Sequence, residues 1–173
     1  MTNLSRVDNP SDQQSLVTFR LDQQVYALPV EPIVQIIEMV AITPVPRVHP
    51  AIQGVINVRG APVLVVNLRR HVGLPETHMQ LRTPIILVQA GTRMMGLIVD
   101  QVIDMLDLST KQITHYDDIL PQELGATSLL QGVAHTANGT VLLLDLERLF
   151  HRQQQALTQA TTTSIETGNE VRA

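Results

Sequence analysis

The chain has 173 residues, of which 44% are hydrophobic and 16% charged, and a formal net charge of -4. The absence of Cys excludes disulfides, thiolate metal sites and cysteine nucleophiles. With two Phe, two Tyr, no Trp and 12 basic residues, the chain lacks the basic face and stacking aromatics of a nucleic-acid binder, and its core must be built from Val, Ile, Leu and Met, a bias that favours strands.

Residues 1–14 are polar and aperiodic, which reads as a mobile tail without an apolar run suited to secretion. Val17, Phe19 and Leu21 alternate with Thr18 and Arg20, the pattern of a half-buried strand. Asp22-Gln23-Gln24 supplies a turn, and Tyr26, Leu28 and Val30 alternate again to complete a hairpin. Further strands are predicted at Gly54–Val58, Val63–Leu68, Ile85–Ala90, Met94–Val99, Leu130–Thr136 and Val141–Leu146. Gly60, Gly91 and Asn138-Gly139 stand at turns that need positive φ. The stretch from Leu146 to Leu157 reads as a helix with Leu146, Leu149 and Phe150 on one face, and Thr-rich residues 158–173 as a second mobile tail. The structured domain is therefore expected at 15–152, with a helix end and disordered tail over 153–173. No stretch approaches the ~18 apolar residues that span a bilayer, so membrane association is expected only through a partner.

Two internal echoes set the expected architecture. Gly54-Val55 and the strand Val63-Leu64-Val65-Val66-Asn67-Leu68-Arg69-Arg70 are answered by Gly132-Val133 and Val141-Leu142-Leu143-Leu144-Asp145-Leu146-Glu147-Arg148. Upstream of each, Phe19, Leu21, Val25, Leu28, Val30, Glu31 and Ile33 correspond to Val88, Ala90, Met94, Leu97, Val99, Asp100 and Val102. Echoes in the same order imply a duplicated all-β unit. Each copy is small for an independent core, so the copies should share buried surface, with a groove at the seam between them.

The parts of an active site do not assemble. The His residues at 49, 71, 78, 115, 135 and 151 include no pair at the spacing of a helical zinc site. Asp117-Asp118 and Asp104…Asp107 read as solvated acids. Asn57-Val58-Arg59-Gly60 lacks the further glycines of a phosphate-cradling loop, and neither a nucleophile elbow nor a P-loop pattern occurs. A binding module without cofactor or metal is left.

These residues resemble the CheW family of bacterial chemosensory coupling proteins over about residues 15–152. Gly54-Val55-Ile56-Asn57-Val58-Arg59-Gly60 is similar to the family's Gly-Val-x-Asn-Leu-Arg-Gly signature, and Gly96-Leu97-Ile98-Val99-Asp100-Gln101-Val102 to its Gly-x-x-Val-Asp-x-Val element. Tyr26-Ala27-Leu28-Pro29-Val30, Ile42-Thr43-Pro44-Val45-Pro46 and Leu143-Leu144-Asp145-Leu146-Glu147-Arg148-Leu149 follow the family in order and spacing. The resemblance implies an all-β fold of two intertwined, five-stranded SH3-like barrel subdomains around a shared core, with short helices and a C-terminal helix. It implies no enzymatic activity and no cofactor. The implied role is a cytoplasmic adaptor between the tips of methyl-accepting chemoreceptors and the regulatory domain of a CheA-type histidine kinase, recruited to membrane arrays through those partners, with no nucleic acid and no direct membrane contact.

Carried over residue by residue, the receptor groove would involve Val30, Ile33, Gly54, Gly96, Val102 and Met105, with Gly54 and Gly96 letting a helix approach closely. The signature and interface set would be Gln35, Thr43, Asn57, Arg59 and Gly60. One departure stands out. The family commonly has Glu where this chain has Gln35, so Arg59 loses its expected partner and is left to pair with another acid, such as Glu38, or to face a binding partner. Val58 for the usual Leu is conservative. Two other readings stay open, a regulatory scaffold that binds the kinase without a receptor and a small β-barrel enzyme.

Overall fold

The computed structural model describes residues 12–46, 48–119 and 129–166, with the backbone alone for residue 156 and residues 159–166. The strands are β1 (Gln13–Leu21), β2 (Gln24–Pro29), β3 (Ile33–Glu38), β4 (Ile52–Val58), β5 (Ala61–Asn67), β6 (Pro84–Ala90), β7 (Arg93–Ile98), β8 (Gln101–Ser109), β9 (Ile113–His115), β10 (Leu130–Thr136) and β11 (Gly139–Leu144). A four-residue α1 (Leu68–His71) follows β5, and α2 (Leu146–Glu166) follows β11. The strands form two sheets, one ordered β8-β1-β2-β11-β10-β9 and the other β3-β6-β7-β5-β4. Val63–Leu68 and Val141–Leu146 thus fall at equivalent places in separate sheets, as the repeat requires. The expectation of five strands in each holds for one sheet. The other gains a sixth because β9 pairs with β10 over three residues, where its counterpart makes only the single bridge Thr43–Val55.

The two halves exchange their first hairpins. β1–β2 from the first half sits in the sheet of β10–β11, with β2 parallel to β11. β6–β7 from the second half sits in the sheet of β4–β5, with β7 parallel to β5. The registers match residue for residue. Phe19 opposes Val102 and its counterpart Val88 opposes Ile33. Each of these ladders carries a β-bulge at the corresponding residue, Ile103 in β8 and Val34 in β3. Gln53 and Gln131 are bulged alike in the β4–β5 and β10–β11 ladders.

Side-chain alternation distributes the apolar residues over three cores. In β6, Ile85 and Leu87 point into a barrel interior with Ile56, Val63, Val65 and Ile98. The intervening Ile86 and Val88 point the other way, into a shared core with Phe19, Leu21, Leu28, Val66 and Leu144. The second barrel interior holds Leu16, Ala27, Leu108, Ile113, Ala134, Val141 and Leu143. A strand buried on both faces reads as an unbroken apolar run, which explains Ile85-Ile86-Leu87-Val88. Within the shared core, Phe19 and Tyr26 stack at 5.9 Å, a pair worth about 0.5–1.5 kcal/mol beyond its buried area.

Two expectations change. Gln13 and Gln14, placed in the N-terminal tail, already pair with Ser109 and Leu108; residues 1–11 lie outside the described part. The C-terminal helix does not end near Leu157 but continues to Glu166. Thr is a poor helix former, which hid this extension, while Thr158 Oγ1 donates to Gln154 O at 3.0 Å within the helix. Residues 167–173 lie outside the described part.

The first turns of α2 close the shared core with Leu146, Leu149 and Phe150. One turn on, Gln153 is 3% exposed and its Nε2 meets Nε2 of His71 at the end of α1. That contact needs a neutral imidazole accepting at Nε2. Burial, then His49 stacked at 5.9 Å, then Arg152 hold the His71 pKa down at about 4. The unfolded chain, at about 6.5, therefore takes up a proton that the folded chain refuses, and the stability contributed by a neutral His71 is lost as pH drops from about 6.5 to about 4. Urea titrations should show a loss on the order of 1–2 kcal/mol over that window, less than the full shift because the ring is partly open to water. His71→Gln should remove this component; an unchanged pH profile in that variant would refute the assignment.

Candidate partner-docking seam

The chain passes between the sheets twice, at Val30–Pro32 and at Val99–Asp100. Matched backbone bonds fix both crossings: Val30 N donates to Ser15 O at 3.0 Å, and Val99 N to Pro84 O at 3.2 Å. Gln89 N donates to Pro32 O at 2.8 Å, and Asp100 N to Arg20 O at 3.1 Å. Ile33 and Val102, the residues just beyond the crossings, are half-buried against the shared core, and Val30 is half-buried at the first crossing. Downstream of each, an edge strand leads away; among the described residues β3 pairs only with β6 and β8 only with β1. These edges carry exposed aliphatic side chains at corresponding positions, Val34 and Ile36 on β3, Ile103 and Met105 on β8, with Met105 61% exposed. Exposed aliphatics at matched places beside a junction mark a surface suited to an apolar partner.

The structure divides the expected site residues. Val30, Ile33 and Val102 gather around the crossings, and Met105 stands out on the β8 edge. Gly54 and Gly96 do not join them. A Cβ on Gly54 would run into the Thr43 carbonyl where that strand bridge closes the barrel. A Cβ on Gly96 would come within 2.9 Å of Ile85 and 3.3 Å of Val65, inside the barrel. Their glycine identity serves barrel closure and packing. Gly132 is the counterpart of Gly54, its Cβ falling 2.6 Å from the Thr114 carbonyl.

Gln35, Thr43, Asn57, Arg59 and Gly60 are all exposed. Asn57, Arg59 and Gly60 belong to the tight β4–β5 hairpin, where Arg59 and Gly60 take φ of 51° and 88° and Asn57 Oδ1 accepts from Gly60 N at 2.7 Å. An Arg in the left-handed region is unusual. Among the described residues Arg59 forms no ion pair with Glu38 or any other acid. The pairing of Arg59 with Glu38 is therefore not formed.

A protein-family model described as the CheW-like domain matches residues 15–154. The chain belongs to the CheW-like domain family. It is similar to the chemotaxis protein CheW of Rhizobium meliloti, 28% identical over 142 residues that cover 82% of this chain and 90% of the relative. The chemotaxis protein CheW of Thermotoga maritima is 29% identical, covering 78% and 86%, and protein FrzA of Myxococcus xanthus is 26% identical, covering 83% and 89%. The crystal structure of the scaffolding protein TtCheW from Thermoanaerobacter tengcongensis superposes with a TM-score of 0.68 at 23% identity, covering 76% of this chain and 88% of that one, and shows the same fold.

In this CheW-like domain, sequence reasoning missed Val34, Ile36 and Ile103, because β3 and β8 lack clean alternation. The signal lay in extending the upstream echo by three residues, since Val34-Gln35-Ile36 answers Ile103-Asp104-Met105. Among the described residues, no three His, Asp or Glu side chains come together as a metal site would require.

The glycine assignments are testable by denaturation. Gly54→Ala should cost about 2–4 kcal/mol, combining a forced collision with a disfavoured φ. Gly60→Ala, with nothing within 4 Å of its Cβ, should cost only about 1–2 kcal/mol for the left-handed backbone. Equal costs at the two positions would contradict the barrel-closing role of Gly54.

Proposed function

We propose that this CheW-like chain is a non-enzymatic adaptor that joins the cytoplasmic tip of a chemoreceptor to the regulatory domain of a CheA-type histidine kinase. The observation that carries this reading is the seam: half-buried Val30, Ile33 and Val102 flanked by exposed Val34, Ile36, Ile103 and Met105, between two matched barrels. An amphipathic helix from a receptor tip would lay its apolar face along these aliphatic side chains. Met105 suits a surface that accepts several related helices, because its unbranched thioether repacks at little cost. The relatives' name, chemotaxis protein CheW, supports the pathway.

The kinase domain is assigned to the β4 edge of the first barrel, opposite the β3 edge, with Thr43 and the Asn57–Gly60 hairpin tip in contact. One adaptor then holds two partners on separate faces. No helix among the described residues is long and apolar enough to cross a membrane, so recruitment to receptor arrays would run through the receptor itself.

The test is Met105→Glu, at a position exposed enough for the fold to tolerate it. A carboxylate placed where an apolar helix docks costs a few kcal/mol, so affinity for a soluble receptor-tip fragment should fall about a hundredfold. Affinity for the kinase regulatory domain, measured by calorimetry on the same sample, should stay within about threefold and depend only modestly on salt, as expected where apolar contacts dominate. Unchanged receptor binding would remove Met105 from the site. Kinase binding by a wild-type chain that ignores the receptor fragment would favour the scaffold reading.

A further inference from the structure

At the seam the duplication is broken by one charged cluster. Arg69, in α1 just after β5, has a side chain only 8% exposed. Its Nε donates to Pro75 O at 2.8 Å, its Nη1 donates to Asp100 Oδ2, and its Nη2 lies 3.6 Å from Asp22 Oδ1. Asp100 Oδ2 also accepts from the Asp22 backbone N at 2.7 Å. Asp22 sits in the β1–β2 turn with a φ of 55°, and Asp100 sits at the crossing from β7 to β8. One cation therefore ties the end of one sheet to a turn of the other and to the crossing that leads into Val102.

The other half has no such arrangement. At the positions that correspond to Asp100, Asp22 and Arg69 stand Glu31, Gly91 and Glu147. The carboxylate at the β2–β3 crossing has a side chain of the same sign, not a cation, at the clamp position, and Gly91 has no side chain to offer. Glu31 is exposed and, among the described residues, forms no ion pair. The β8 entrance is thus held by a charge-assisted network on a buried Arg side chain in addition to backbone bonds and apolar packing, and the β3 entrance, among the described residues, by backbone bonds and the packing of Ile33.

We propose that Arg69, Asp100 and Asp22 form a positioning clamp that holds the β8 side of the seam in its docking geometry while the β3 side is left to adapt to the partner. The clamp rests on the reading of the seam as a receptor-docking surface. Preorganising one wall lowers the ordering cost of binding, and the looser wall adapts to differing helices. These residues act through Val102 and the start of β8 rather than by touching the partner.

The experiment compares Asp100→Asn with Glu31→Gln, the matched neutralisations at the two crossings, in the full chain. Asp100→Asn should weaken binding of a soluble receptor-tip fragment about tenfold, speed amide hydrogen exchange at residues 102–105, and leave kinase-domain affinity unchanged. Glu31→Gln should leave all three within twofold of wild type. Should Asp100→Asn fail to fold, Asp22→Asn, on an exposed carboxylate, should give a smaller change of the same kind. Equal effects of the Asp100 and Glu31 substitutions, or loss of both partners together from a folded variant, would overturn the clamp. If the wild-type chain does not bind the fragment, the receptor reading fails and exchange decides the clamp. Faster exchange at residues 102–105 alone would sustain it, and unchanged exchange would overturn it.

Discussion

The exchange of hairpins between the two halves is the constraint on which the rest of this fold depends. β1–β2 completes the barrel of the second half, and β6–β7 completes that of the first. Neither half keeps a complete barrel if the other is removed. The exchange also creates the shared core, because each traded strand offers one face to its host barrel and the other to the interface between sheets. Phe19, Leu28, Val88 and Leu97 are all fully buried there. A duplicated chain of this size, whose copies are too small for independent cores, gains by this route a single core of ordinary size.

Trading hairpins obliges the chain to cross from sheet to sheet, and the crossings make the seam. Each must deliver an edge strand after two or three residues, and at both a bulge inserts an extra residue, Val34 or Ile103, where the edge leaves the junction. Bulges bend an edge and discourage indiscriminate strand pairing. The aliphatic side chains they present remain available to a partner recognised by its apolar face. The same crossings that bind the barrels together expose the surface proposed for docking.

Much of this was legible in the sequence, for physical reasons that can be named. Strands buried on both faces announce themselves as apolar runs, and the registers of β5 and β11 were visible because Asn67 and Asp145 close their strands in the same way, each donating its backbone N–H at 2.8 Å to Ala51 and Leu129. β3 and β8 were not legible, because an edge with one partner needs neither alternation nor a continuous run. The part Gly54 and Gly96 play in closing and packing the barrel was hidden for a related reason. A glycine needed for barrel closure and one needed for a partner's approach look alike until the atoms facing them are known. The hairpin exchange left no mark on the local pattern, since β1 and β6 look the same whichever sheet receives them. The clamp was also hidden, because its members lie far apart in the chain and only the fold brings Arg69 to Asp22 and Asp100.

If hairpin exchange makes the two barrels one cooperative unit, the most direct measurement is native-state hydrogen exchange across both. The slowest amides of β2 and β11 in one sheet and of β5 and β6 in the other should open with the same free energy. That energy should equal the global unfolding free energy from denaturant titration, and a destabilising substitution in either barrel should lower all of them together. A barrel whose core amides exchange through a separate opening of clearly lower energy, untouched by substitutions in the other barrel, would contradict this account.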